Sequence, residues 1–256
     1  MENLSTMKRK RRILIIGATS SIAEHCARLW IEKSSCDFVF VGRNLERLKI
    51  ISDDILIRDS QSSIKLITMD FYDPKKIATG IDQIMQEAPV DIVLVAHGSL
   101  LAQPECEDNL TTCRDSLLIN LISPILFIEA CAKHFAVQNS GTLAIIGSVA
   151  GDRGRKSNYI YGSAKSGLWR VAQGLQHRFA NTKVQITFIK PGPTDTPMTA
   201  KLKVNGTKLE PVKNVARQIV LGIDRGDRII YTPPKWRVIM WVIQHLPSVI
   251  FNRLNI

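Results

Sequence analysis

Along most of the chain a short apolar run gives way to a longer amphipathic stretch, and that alternation restricts the fold more than any other feature. Strand patterns fall at Arg12–Ile16, Phe38–Val41, Ile64–Met69, Val90–Val95, Thr142–Gly147 and Val184–Ile189, with a short further one at Arg228–Tyr231. Helical patterns lie at Ile22–Lys33, Asn44–Asp54, Pro74–Glu87, Cys113–Phe135, Tyr161–Ala180 and Pro211–Arg225. Strands separated by helices form βαβ units and a parallel sheet covered on both faces. Right-handed crossovers then predict a doubly wound α/β sheet of about seven strands with its ligand crevice at the strand carboxyl ends. With 256 residues, 45% of them hydrophobic, the chain has core enough for one domain over residues 1–256, of which 232–256 read as an apolar C-terminal extension.

The first strand follows Lys8-Arg9-Lys10-Arg11-Arg12, a run like the basic start of a secretory signal. Only Ile13-Leu14-Ile15-Ile16 separates it from Gly17, too short for a signal's apolar region and suited to a buried parallel strand. Lys and Arg exceed Asp and Glu by 34 to 23, a net charge of +11, which leaves nucleotides, phospholipid surfaces, phosphorylated substrates and nucleic acid open as anionic partners. No DNA or RNA module follows the basic run, so no nucleic acid partner is expected. The five cysteines are odd in number and contain no C-x-x-C, which fits a reducing cytoplasm, and no metal site is expected.

The first strand runs into Gly17-Ala18-Thr19-Ser20-Ser21-Ile22-Ala23 and opens a helix, where a dinucleotide phosphate can rest on free backbone N–H groups. A Ser- and Thr-rich turn that merely caps the helix has the same composition. After the second strand, Arg43 stands where an NAD-binding protein usually places a carboxylate for the ribose 2′-hydroxyl. Arg43 can pair with a 2′-phosphate, which favours NADP(H) over NAD(H), although an exposed loop arginine is often only a solvated charge. Asp70 is a candidate to hold the adenine amino group, or else a turn residue before Pro74.

The chemistry lies further along. Ser148 ends a buried strand, and Tyr161-Gly162-Ser163-Ala164-Lys165 follows at the start of a helix. A spacing of four sets Tyr161 and Lys165 one turn apart on one helix face. A phenol with a reference pKa of ~10 is a poor acid–base group at neutral pH, and an adjacent ammonium is expected to favour the phenolate. Tyr159 has no lysine at that spacing and is expected to line the pocket.

The ordered set of the Gly17 loop, Asp70, Ala96-His97-Gly98, Asn120, Ser148, Tyr161, Lys165 and Pro191-Gly192 with Thr194 and Thr196 resembles the short-chain dehydrogenase/reductase family over nearly the whole chain. The resemblance implies a Rossmann-type fold and an NAD(P)-dependent oxidoreductase. It implies that Ser148 orients and polarises a carbonyl, that Tyr161 donates the proton, that Lys165 binds the nicotinamide ribose and lowers the Tyr161 pKa, and that Asn120 holds a relay water. It places Gly17, Thr19, Ser20, Ser21, Ile22, Arg43, Asp70, Ala96, His97 and Gly98 around the dinucleotide with Tyr161 and Lys165, and Pro191, Gly192 and Thr194 beside the nicotinamide. A homodimer or homotetramer is implied as well. Two departures stand out: Ser21 and Ala23 replace the later loop glycines, and Val95-Ala96-His97-Gly98 replaces Asn-Asn-Ala-Gly. Ser21 can offer its hydroxyl to a phosphate oxygen, and His97 is expected to pack or bond backbone and not to act as a base.

The segment Trp236–Phe251 is apolar nearly all round. A bilayer span needs roughly 20 apolar residues, and this shorter run is broken by Arg237, Gln244, His245 and Pro247. Two tryptophans near Lys235, Arg237 and Arg253 suit an interfacial helix on an anionic membrane surface, and a helix in a dimer interface or over the active site suits equally. With the Gly17 loop and Ala96-His97-Gly98, the tail is similar to the decaprenylphosphoryl keto-pentose reductase branch. That similarity implies hydride delivery to a lipid-linked 2-keto sugar of cell-envelope biosynthesis, with a flavin oxidase partner supplying the ketone. The branch is associated with NADH, which opposes the Arg43 argument. The expected protein is cytoplasmic, with peripheral contact to the inner face of the membrane through residues 236–251. Reduction of a soluble ketone or acyl substrate is the alternative, followed by a dinucleotide-binding partner protein without turnover.

Overall fold

The computed structural model describes residues 9–200, 204, 206 and 208–254; Lys8 of the basic run and the last two residues of the C-terminal extension lie outside them. Strands β1 (Arg11–Ile16), β2 (Cys36–Gly42), β3 (Ser63–Thr68), β4 (Ile92–Val95), β5 (Ser140–Ile146), β6 (Lys183–Pro191) and β9 (Ile229–Thr232) form one sheet in the order β3-β2-β1-β4-β5-β6-β9. Every neighbouring pair is parallel. A two-residue pair, β7 (Thr194–Asp195) with β8 (Glu210–Pro211), stands apart from it. This is the doubly wound sheet that the alternation predicts, and its order reverses between β1 and β4, where such sheets bind ligands.

β1 shows why these strands are apolar on consecutive residues. Ile13 and Ile15 enter the core shared with α1 (Ser21–Ile31), α2 (Leu45–Arg58) and α8 (Val212–Arg225). Leu14 and Ile16 enter the opposite core, shared with α3 (Pro74–Glu87), α6 (Ser123–Gln138) and α7 (Tyr159–Arg178). With helices on both faces neither side of the strand meets water. The helix starts follow local chemistry: Asn44 Oδ1 accepts from the Arg47 N–H at 2.9 Å, and Asp73 accepts from the Lys75 and Lys76 N–H groups behind Pro74.

The single helix expected at Cys113–Phe135 is instead segmented. A short α4 (Gln103–Asp108) comes first, and α5 (Leu110–Leu117) begins at Asn109, whose side chain accepts from the Thr111 and Thr112 N–H groups. A π turn, Leu118–Ile122, then leads into α6. Pro124 explains the break: it has no N–H to return to the Asn120 carbonyl four residues earlier, and the Ser123 N–H reaches back to Leu118. The run Leu110–Gln138 is long and apolar enough to cross a bilayer by length and composition, yet Phe127, Ile128, Cys131 and Phe135 lie in the core.

The C-terminal extension forms α9 (Lys235–His245) and α10 (Ser248–Phe251) on the chain's own surface. Its apolar character divides in two: Met240 is buried, whereas Val238 and Trp241 are 66% and 62% exposed. Arg153 fastens the helix end, its Nη1 donating to the Ile243 carbonyl at 2.5 Å and the Leu246 carbonyl at 2.7 Å while its guanidinium lies 3.7 Å from the Phe251 ring centroid. A cation there also meets the negative end of the helix dipole. Arg153→Ala is expected to cost roughly 1–3 kcal/mol locally and to speed amide exchange in residues 235–251 while the sheet exchanges as before. Unchanged exchange there would show that Met240 and its apolar neighbours hold α9 alone.

Candidate active site

Three side chains meet where β5 ends and α7 begins. Ser148 follows β5 after Gly147, and its Oγ accepts from the Ala150 N–H at 3.0 Å, capping a 3₁₀ turn. Tyr161 and Lys165 occupy the first turns of α7, and the Tyr161 hydroxyl is hydrogen-bonded to Ser148. Lys165 is 3% exposed; its Nζ donates to the Ile146 carbonyl at 3.2 Å and lies 5.7 Å from the Tyr161 ring centroid. The three line a cavity of about 470 Å³ together with Pro191, Gly192, Thr194 and Trp236. Gly98 lets the β4 loop come this close: a Cβ there would sit 2.8 Å from Asn120 Oδ1 and 3.4 Å from Lys165 Nζ.

Burial dominates the electrostatics. It pushes the Tyr161 phenol up to about 12, with the Ser148 hydrogen bond pulling the other way, and it brings Lys165 down to about 8. The Tyr161 phenol thus lies above its ordinary value and not below it, because desolvation of the phenolate outweighs the Ser148 hydrogen bond. His97 falls to about 3, through burial first and then the positive charges of Lys165 and Arg43, so it is neutral. Its ring stands edge-on to Phe71 and Phe127, and Nε2 bonds Ser123 Oγ at 3.0 Å.

A second cavity of about 360 Å³ adjoins the first, sharing Ser20, Ile22, Ala96, His97 and Gly98 as walls. It is lined by Gly17, Thr19, Ser21, Arg43 and Arg47 as well. Gly17 has φ +82°, and a Cβ on it would meet the His97 backbone nitrogen at 2.7 Å. Ser20 begins α1 without a side-chain cap bond, and the buried Nδ1 of His97 has no partner, so both are available to a ligand. Ala23 lies inside the core, away from the cleft, and only Ser21 of the two loop replacements faces it. Arg43 is exposed, its guanidinium 5.9 Å from the Phe71 ring centroid.

Two expected residues bond backbone groups with their side chains. The exposed Asp70 accepts from the Tyr72 N–H at 2.8 Å and sits 3.9 Å from Lys76 Nζ, a turn residue outside the cavity walls. The Asn120 side chain is fully engaged with backbone: Nδ2 donates to the Ser99 carbonyl at 2.7 Å and the Ser116 carbonyl at 2.9 Å, and Oδ1 accepts from the Ser99 N–H at 3.0 Å. Arg47, Arg155 and Trp236 line the cavities and were not named as site residues from the sequence, although Trp236 opens the segment for which a position over the active site was one reading. Arg47 had a signal, standing four residues after Arg43 in the first turn of a helix; the other two reach the site only through the fold.

A parallel sheet with Ser148, Tyr161 and Lys165 in a cavity at its carboxyl edge defines a dinucleotide-type oxidoreductase architecture. The short chain dehydrogenase family profile matches residues 11–206, and the chain belongs to that family of oxidoreductases. Similar relatives include an uncharacterised oxidoreductase of Streptomyces coelicolor, 27% identical over 244 residues that cover 95% of this chain and 96% of the relative. Another, of Staphylococcus epidermidis, is 25% identical over 228 residues, covering 87% and 95%. Among solved structures, a short chain dehydrogenase of Burkholderia cenocepacia in complex with NADP has a TM-score of 0.81 at 15% identity, covering 97% of this chain and 98% of that one. One of Sphingobium yanoikuyae in complex with NADPH gives 0.80 at 19%, covering 96% of each. At such identities the likeness is one of fold. The two relatives' names specify no substrate, so the keto-pentose branch gains no support from them.

Lys165 also sets a pH signature. Its pKa falls from 10.5 to about 8 on folding, so between those values the unfolded chain binds the extra proton and stability rises with pH. Below about pH 8 the buried cation is a standing cost. Denaturant unfolding of wild type and Lys165→Met at pH 8 and pH 10.5 should show wild type gaining relative to the variant; a flat difference would mean that the Lys165 ammonium is not desolvated.

Proposed function

We propose that the protein is a carbonyl reductase that uses NADP(H) in preference to NAD(H), with Tyr161 as proton donor. The observation that carries this is the half-buried Tyr161 beside Ser148 and the buried Lys165, in a cavity contiguous with the cleft of Gly17 and Arg43. Gly17, Thr19, Ser20, Ser21 and Ile22 would hold the pyrophosphate, Arg43 and Arg47 the 2′-phosphate, and Ala96, His97, Gly98, Pro191, Gly192 and Thr194 the nicotinamide side. A bound reduced nicotinamide supplies the hydride.

Ser148 donates a hydrogen bond to the substrate carbonyl oxygen and fixes it beside Tyr161. Tyr161 passes its proton to that oxygen as negative charge develops on it. A phenol at about 12 keeps its proton at neutral pH, and an alkoxide is the stronger base, so the transfer runs towards the alcohol. Lys165, at about 8, is largely cationic at neutral pH; it would stabilise the phenolate left behind and would hold the nicotinamide ribose. The Asn120 amide holds the Ser99 loop in place, and its main-chain carbonyl, which has no N–H from Pro124, is the group offered to a relay water. Tyr161→Phe is expected to lower kcat by roughly 10²–10⁴-fold with the fold intact by circular dichroism; retention of most turnover would remove Tyr161 from the acid role. Arg43→Asp is expected to raise KM for NADPH about tenfold or more and to leave NADH nearly unchanged, and equal effects would take Arg43 out of 2′-phosphate binding.

The finer reading is a polyprenyl-phosphate-linked keto sugar, presented at the inner membrane face to a cytoplasmic homodimer or homotetramer and supplied by a flavin oxidase. In its support, Val238, Trp241 and Val242 are exposed and no acidic residue occurs from Arg228 to the end of the chain. Nucleotide oxidation at 340 nm with such a substrate, run beside a panel of soluble ketones, decides between it and a soluble ketone.

A further inference from the structure

The loop between β5 and α7 carries a cation that the mechanism does not use. Arg155 lines the 470 Å³ cavity beside Tyr161 and also a smaller one under Phe251 and Leu254. Its Nε is buried without a hydrogen-bond partner, and no ion pair to it occurs among the described residues. Burial lowers its pKa, with Asp152 the one opposing charge. Asp152 is already committed: Oδ1 lies 2.5 Å from Lys190 Nζ, and Oδ2 accepts from the Tyr231 hydroxyl at 3.0 Å. The neighbouring Arg153 is likewise committed to the end of α9. Three residues on, Asn158 Oδ1 is buried and unpartnered on the same cavity wall.

The cavity walls contain Arg155 and Lys165 and no aspartate or glutamate among the described residues. Leaving a buried guanidinium nitrogen unpaired costs stability, and such a group persists where a ligand completes it. A guanidinium fork matches the two oxygens of a carboxylate or phosphate, and a lone amide oxygen matches a hydroxyl donor. Resting on the reductase reading above, we propose that the ketone substrate carries an oxyanion, phosphate or carboxylate, held by Arg155, with a hydroxyl donating to Asn158. Arg155 is then the residue that selects charged over neutral ketones.

Two measurements separate this subsite from the reductase reading. In the first, binding of inorganic phosphate, glycerol 3-phosphate and farnesyl phosphate is titrated calorimetrically at saturating NADP⁺, so that the dinucleotide cleft is filled, with wild type, Arg155→Gln and Arg155→Lys. Wild type should bind glycerol 3-phosphate roughly 10–100-fold more tightly than Arg155→Gln, and Arg155→Lys, which keeps the charge and loses the fork, should lie between. Tighter Arg155-dependent binding of farnesyl phosphate assigns the phosphate to a lipid, and equal binding to a soluble substrate. In the second, reduction of dihydroxyacetone phosphate is compared with dihydroxyacetone, and of acetoacetate with its ethyl ester. Arg155→Gln should raise KM for the charged member of a pair with kcat nearly kept. Equal anion binding by wild type and Arg155→Gln overturns the subsite even if ketones are reduced. Arg155-dependent binding without any ketone reduction upholds the subsite and counts against the reductase reading.

Discussion

A lysine 3% exposed, under the floor of the cavity, governs how everything around it is built. Its bond to the Ile146 carbonyl ties α7 to the end of β5 and thereby sets Tyr161 beside Ser148. Asn120 Oδ1, 2.8 Å from where a Cβ at residue 98 would sit, leaves no space for a side chain there, so the loop after β4 passes the ammonium as bare backbone, held by the two hydrogen bonds between Asn120 and Ser99. The Lys165 charge, added to burial, keeps His97 neutral next to it. A buried cation without a carboxylate is costly in a stable fold and useful in a site that must generate a phenolate.

How much of this was legible in the sequence depends on whether the signal was local. The strands of the central sheet were, because two-sided burial makes them continuous apolar runs such as Ile13-Leu14-Ile15-Ile16. Tyr161 and Lys165 were as well, through a spacing that helix geometry reads directly. The π turn was not: Pro124 was visible, but its effect falls on the Asn120 carbonyl four residues away, while the Asn120 side chain fastens the Ser99 loop. Asp70 stayed open to two readings because one local pattern serves both a turn and an adenine contact, and its Oδ1 accepts from the Tyr72 N–H. The roles of Arg155 and Trp236 arise from contacts between segments far apart in sequence, which no periodicity carries.

Those distant segments are joined by a second buried group. Lys190 on β6, Asp152 after β5 and Tyr231 on β9 form a closed set, with Lys190 Nζ also 4.7 Å from the Trp169 ring centroid. A buried ion pair of this kind contributes little net stability against an apolar replacement, but breaking it by removing one partner is severe. Its structural effect is specific: it fixes Asp152 and hence the direction of the loop, from which Arg153 reaches α9 and Arg155 reaches the cavity. One carboxylate, satisfied internally, leaves the next cations along the chain for other partners.

The net charge of +11 is distributed by the same logic. At the amino ends of the strands the basic run does not simply point into solvent: Arg9 pairs with Asp91, Arg11 with Asp224 and Arg12 with Glu87. The more exposed pairs, of Arg9 and Arg11, add little stability, while Arg12 is buried; each sets a carboxylate against a cation at that edge. At the carboxyl ends, Arg43, Arg47, Arg155 and Lys165 line cavities whose described walls hold no carboxylate. Four positive charges are thus gathered where the sheet topology places ligands, and low-dielectric walls focus their field there. A pyrophosphate, a 2′-phosphate and a charged substrate would each answer one part of that field.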